Sequence, residues 1–246
     1  MKIHRSLTKV VILVGINFII LGLIFLSNYA SAGYFEISPI FHDTQGERIS
    51  YIINSQNKTD DQYIKVNVTK ILSPNNDDEE EIAINSLRDI RVIPDKLILK
   101  PNDQRRVQVL VLAQDIDMEQ VYRIYFQQVT EDQYHGTNLL NKDVSATSRV
   151  SLSLGGVIRV QPKENKPNIV ANDDHIVNLG NSHFQIVSEC VGTSMADCAW
   201  KKPEKNINVY HNNNYHWQTS DDKSVAAIKY RYPQQLNNLL TLEKDR

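Results

Sequence analysis

From Gly33 onward the chain alternates apolar and polar residues with a period of two, the signature of half-buried strands. Residues 62–70 place Ile64, Val66 and Val68 on one face and Lys65, Asn67 and Thr69 on the other. Residues 48–54, 90–93, 96–99, 106–112 and 121–129 read the same way. In "VYRIYFQQV" (121–129) the core face is Tyr122, Ile124 and Phe126. Turn chemistry falls between the strands in "NKTDDQ", "SPNNDDEEE" and "KPNDQ". No long stretch repeats apolar residues at helical spacing. Short strands and frequent turns over a little more than a hundred residues predict an immunoglobulin-like sandwich.

The segment "PKENKP" (162–167) is polar and bounded by prolines, which makes it the linker candidate. Beyond it the strand signals weaken to 183–190, 206–210 and 225–230, a smaller second β domain. The expected organisation is a first domain over 33–161, a linker over 162–167 and a second domain over 168–246. Residues 1–32 stand apart. Lys2, Arg5 and Lys9 precede an apolar run from Val10 to Leu26, and Ala30 and Ala32 give a small-x-small site before Gly33. This is the pattern of a cleavable secretory signal peptide, with an uncleaved membrane anchor as the alternative.

Cleavage would remove three of the 27 basic residues and none of the 29 acidic ones, taking the formal charge from −2 to −5. A mildly acidic chain argues against nucleic acid as a partner. Export permits a disulfide, and Cys190 and Cys198 are spaced to bridge a short loop within one domain. Neither cysteine lies near a histidine-base motif. His211 and His216, five apart, would fall on opposite faces of one strand, which argues against a metal site. The acidic run 77–81 lacks the spaced ligands and glycine of a calcium loop and reads as a solvated turn. There is no nucleophile elbow, phosphate loop or HExxH motif. The sequence expectation is a binding protein, not an enzyme, with no cofactor and no metal.

One stretch carries more than alternation. "RVSLSLGGVIRVQP" (149–162) presents Val150, Leu152 and Leu154 as an apolar stripe, then Gly155-Gly156, then Arg159 between Ile158 and Val160. Glycines inside a strand point to a bulge or to a close backbone approach. Together with "ERISYIINSQ" (47–56), "VIPDKLILKPNDQRRVQVLV" (92–111) and "YRIYFQQV" (122–129), this stretch resembles the periplasmic pilus chaperones of the chaperone–usher pathway. Within them it is most similar to the divergent branch serving enterotoxigenic-type and common-pilus fimbriae. The resemblance spans about residues 34–162.

The resemblance implies two immunoglobulin-like β-sandwiches set at an angle with a cleft between them. It implies a periplasmic protein that binds pilin subunits and passes them to an outer-membrane usher. The alternative is a secreted immunoglobulin-like structural or adhesive protein, such as a pilus subunit. A pilin lacks its last strand, and the chaperone lends one, a case of β-augmentation. On this resemblance Val150, Leu152 and Leu154 are the lent side chains. Arg48 and Arg159 are the cations that anchor the C-terminal carboxylate of the pilin. Alternation by itself leaves open whether the stripe faces only its own core. An exposed apolar strand also leads to the expectation of a self-capping homodimer when the chaperone is empty. The long polar loop 131–147 would order on pilin binding. In one respect the chain departs from the family pattern. Where many members carry an acid–arginine pair near the interdomain proline, this chain has Gln128 and Gln161. Either a neutral hydrogen bond or another device then sets the domain angle.

Overall fold

In a computed structural model the protein is described over residues 34–244, apart from 47, 75–78, 85–87, 114 and 137–150. The expected signal peptide, residues 1–32, lies outside the described residues, as does Val150 of the stripe.

The first half forms two facing sheets. One is four-stranded, in the order β1 (Phe35–Ser38), β3 (Arg48–Ser55), β8 (Gln104–Val111) and β6 (Ile90–Ile93). The other runs β2 (Phe41–Thr44), β10 (Ser153–Val160), β9 (Gln120–Val129), β4 (Gln62–Ile71) and β5 (Glu81–Ala83), with β7 (Lys96–Leu99) also on β4. The chain passes between the sheets twice, at β1 to β2 and at β6 to β7. A proline sits at each crossing, Pro39 and Pro94, where its missing N–H ends the ladder. The expected alternation holds. Buried and less buried positions alternate along β3, and Tyr122, Ile124 and Phe126 are fully buried between the sheets with Tyr51, Ile64 and Val107. Each such side chain contributes about 1.5–3 kcal/mol by leaving water.

The loop expected over 131–147 begins as a short helix, α1 (Glu131–His135). A capping box closes it: the Thr130 hydroxyl accepts from Gln133 N–H, and the Gln133 side chain accepts from Thr130 N–H. Its five residues are too few to register as a helical repeat in the sequence, and the rest of the loop lies outside the described residues.

The second half contains a three-stranded sheet, β11 (Ile169–Ala171), β12 (His175–Asn178) and β16 (Asn214–His216). Facing it is a five-stranded one, β14 (Ala199–Lys201), β13 (Phe184–Val191), β17 (Val225–Arg231) and β18 (Leu240–Glu243), with β15 (Ile207–Val209) also on β13. Phe184, Ile186, Trp217 and Ile228 fill the space between them. Cys190 of β13 and Cys198 form a disulfide with their Cα atoms 5.2 Å apart, as their spacing led us to expect. The fold is all-β, two immunoglobulin-like sandwiches with a cleft between them.

Residues between the halves are tied down rather than loose. The Asn181 side-chain N–H groups donate to the carbonyls of Asp117 (3.0 Å) and Glu164 (2.9 Å), and its Oδ1 accepts from Lys166 N–H (2.7 Å). One asparagine of the second half thus holds both the linker and the loop leading into β9.

A basic cleft beside an open strand

β10 sorts its side chains by parity. Leu154, Gly156, Ile158 and Val160 face the first core, while Val157 and Arg159 face out of the sandwich. The same parity on β9 turns Val121 and Arg123 outward, and Phe41 and Asp43 come from β2. The second half closes the space with His183, Gln185, Tyr210 and Arg231. Together these residues line a cavity of about 410 Å³.

Arg159 is the centre of this cleft and is 8% exposed. Its Nε lies 2.7 Å from Asp43 Oδ1, its Nη1 3.5 Å from His183 Nε2, and its Cζ 5.6 Å from the centre of the Phe41 ring. Burial by itself would lower the guanidinium's pKa, but Tyr210, Asp43 and Glu119 together hold it above its ordinary value. Burial also pushes the Tyr210 phenol up to about 12, so it stays protonated and able to donate.

Glu119 joins the two halves. Its carboxylate accepts from Gln161 Nε2 (2.7 Å) and from His183 backbone N–H (2.6 Å), and lies 2.7 Å from His183 Nδ1. A guanidinium has no acceptor, so His183 Nε2 must accept from Arg159 while Nδ1–H donates to Glu119. The question raised by Gln128 and Gln161 is answered here. The two glutamines are not each other's partner: Gln161 donates to Glu119, and Gln128 uses its backbone N–H on Leu152 O (2.8 Å). A carboxylate with three donors replaces an acid–arginine pair.

Arg48 is placed elsewhere. It is the exposed first residue of β3, pointing out of the four-stranded sheet, whereas Arg159 points out of the opposite sheet. The outer faces of a sandwich look in opposite directions across a core about 10 Å thick. Arg48 accordingly is not among the residues lining the cavity, and the expected Arg48–Arg159 pair is not assembled. The acidic run also departs from expectation. Glu79 and Glu81 are not a solvated turn; both pair with Arg123, Glu79 Oε1 at 2.5 Å from Nη2. Burial tends to raise the Glu81 pKa. Hydrogen bonds from Thr69 (2.6 Å) and Tyr125 (2.7 Å), with the Arg123 charge, outweigh it and hold the carboxyl below its usual range. His211 and His216 turn to different partners: His211 Nδ1 meets Gly180 O, and the His216 ring stands 5.8 Å from that of His175.

The glycine pair does not form a bulge. β10 stays in register with β9 from Ser153 opposite Gln127 to Val160 opposite Gln120. A Cβ on Gly156 would lie 3.0 Å from the Tyr51 ring and 3.1 Å from Ile40 O, so the second glycine marks a close approach; at Gly155 the nearest atom is 3.8 Å away. On its other side β10 is only half covered. β2 runs parallel to it from Val157 to Val160, with Val157 N–H on Ile40 O and Gln161 N–H on Thr44 O. Among the described residues no strand pairs with that edge over residues 153–156. Leu152 and Leu154 beside this open edge are half-buried, packed against the rim of the first core.

Two sandwiches, a cation-lined cleft between them and one strand with an open edge define a strand-lending chaperone architecture. Comparisons with known proteins agree. No family model matches the sequence. The CS1 fimbrial B protein of Escherichia coli is 31% identical over 189 residues, spanning 73% of this chain and 79% of that protein. The CFA/I fimbrial A protein of Escherichia coli is 26% identical over 216 residues, spanning 80% and 88%. Among solved structures, the class 5 fimbriae chaperone CfaA superposes with a TM-score of 0.62 at 22% identity, over 87% of this chain and all of that one. A chain of the chaperone–tip adhesin complex of CFA/I fimbriae biogenesis gives 0.61 at 22%, over 86% and 98%. The chain belongs to the family of the CS1 fimbrial B protein, the CFA/I-like branch of the chaperone–usher pilus chaperones. The fold is that of a fimbrial chaperone along the whole of the solved chain, two sandwiches rather than the single one expected of a pilin.

Proposed function

We propose that this protein holds fimbrial subunits in the periplasm by lending them β10, and that it delivers them to an outer-membrane usher. The observation that carries the reading is the open edge of β10 over residues 153–156, flanked by the half-buried Leu152 and Leu154. Main-chain groups on that edge supply hydrogen bonds that depend little on the pilin's sequence. Alternate side chains, extended by Val150, supply pocket contacts. Arg159, deep in the cleft and downstream on the same strand, takes the pilin's terminal carboxylate, which fixes the register of pairing. Arg48 is left out of this anchor, because its side chain leaves from the opposite sheet. The neighbour solved as a chaperone–tip adhesin complex supports fimbrial subunits as the partner class. We assign residues 1–32 to a signal peptide, 33–161 and 168–246 to the two domains, and the uncovered edge of β10 to self-capping in an empty homodimer.

Co-expression with the fimbrial subunits encoded beside it tests the reading. The protein should bring a pilin into a soluble periplasmic complex of one copy each. Leu152→Asp should weaken that complex about 10- to 100-fold, the cost of one lost apolar contact of about 1.5–3 kcal/mol. Arg159→Ala should abolish it while the variant still folds by circular dichroism. Unchanged affinity in both variants would refute strand donation.

A further inference from the structure

Three guanidinium groups line the cleft cavity, and their counter-charges differ. Arg123 is matched by Glu79 and Glu81, and Arg159 by Asp43. Among the described residues Arg231 has no carboxylate within ion-pair distance; its partner is the Gln185 side-chain oxygen, 3.0 Å from Nε and 2.8 Å from Nη2. Gln185 stands directly opposite Arg231 across β13 and β17, so two rigid strands hold the guanidinium by one edge. The bonds to Gln185 use the Nε–H and one Nη2 hydrogen. The Nη1 group and the second Nη2 hydrogen form the far edge of the fork, the geometry that takes a carboxylate with two parallel bonds. The wall that the second half contributes holds no acidic side chain. It presents His183, Gln185, Asn206, Asn208 and Tyr210 beside Arg231.

We infer that Arg231 is the second cation of the carboxylate clamp, so that a pilin's C-terminus is gripped by Arg159 from the first domain and Arg231 from the second. This rests on the chaperone reading above and adds to it a role for the second domain. The clamp then spans the cleft, and binding a carboxylate ties the domains to each other.

Two synthetic peptides serve as the probe. Both are acetylated, about a dozen residues long and alternate valine with threonine; one ends in a free carboxylate and the other in an amide. Calorimetric titration of the wild-type protein should show a preference for the carboxylate of tenfold or more. Arg231→Gln should cut that preference about tenfold and leave affinity for the amide peptide unchanged, since only the charge contact is lost. Arg231→Lys, which keeps the charge but not the fork, should fall between them and guards against a folding defect in the first variant. If Arg159→Gln loses the preference and both Arg231 variants keep it in full, the inference falls and the chaperone reading stands. If the wild-type protein binds the two peptides equally, carboxylate anchoring itself falls, and the clamp with it.

Discussion

Gly156 shows how one residue serves a strand that has two duties. Its missing side chain lets β10 lie against the Tyr51 ring and the Ile40 carbonyl, both too close for a Cβ to be comfortable. Gly156→Val should therefore destabilise the protein by about 1–3 kcal/mol, the usual cost of overpacking a filled core, while Gly155→Ala should change stability by less than about 1 kcal/mol. Urea unfolding of the two variants beside the wild type measures the contrast, and equal costs would mean that the approach is not tight. The sequence singled out this pair and offered two meanings for it. Only the position of Tyr51, more than a hundred residues earlier, selected between them. Arg48 and Arg159 illustrate the same limit. Each was visible as a cation in a strand, but which sheet a strand joins depends on pairings far away in the chain.

At the scale of the element, β10 is legible as a strand and illegible as an edge. Its alternation fixed which side chains point inward, because the pleat has a period of two. Its open edge follows from where β2 begins, and β2 has only four residues, too few to stand out by periodicity. The hydrogen-bond parity gives a sharp expectation. Val157 and Gln161 N–H groups point to β2, so the N–H groups of Ser153 and Gly155 point to the uncovered side. Hydrogen exchange should be fast at Ser153 and Gly155 in the free protein, and slower at least tenfold once a pilin is bound. Protection of both amides in the free monomer would contradict the open edge. Protection that grows with protein concentration would support self-capping instead. The acidic run is the other lesson of this scale. Glu79 and Glu81 read as surface in the sequence because their partner, Arg123, sits more than forty residues on, at the middle of β9.

The whole molecule is joined through a small set of buried polar contacts. Glu119 serves Gln161 of the first half and His183 of the second at once, and the His183–Glu119 pair is almost wholly removed from water. Glu119→Ala strands buried donors on both sides of the cleft. We expect it to cost about 3–5 kcal/mol, as breaking a buried charged pair does. It should also widen the distribution of domain angles, seen by X-ray scattering as a larger radius of gyration. A variant with unchanged stability and scattering would show that the linker alone sets the angle. What the sequence determined by itself was the β class, most strand positions in the first half, the disulfide and the arginine at the cleft, since these depend on local alternation and short spacing. What the tertiary structure decided was which cations share a cavity, which strand edge stays uncovered and what bridges the two sandwiches. Those are contacts between residues distant in the chain, and a single sequence carries no periodic signal for them.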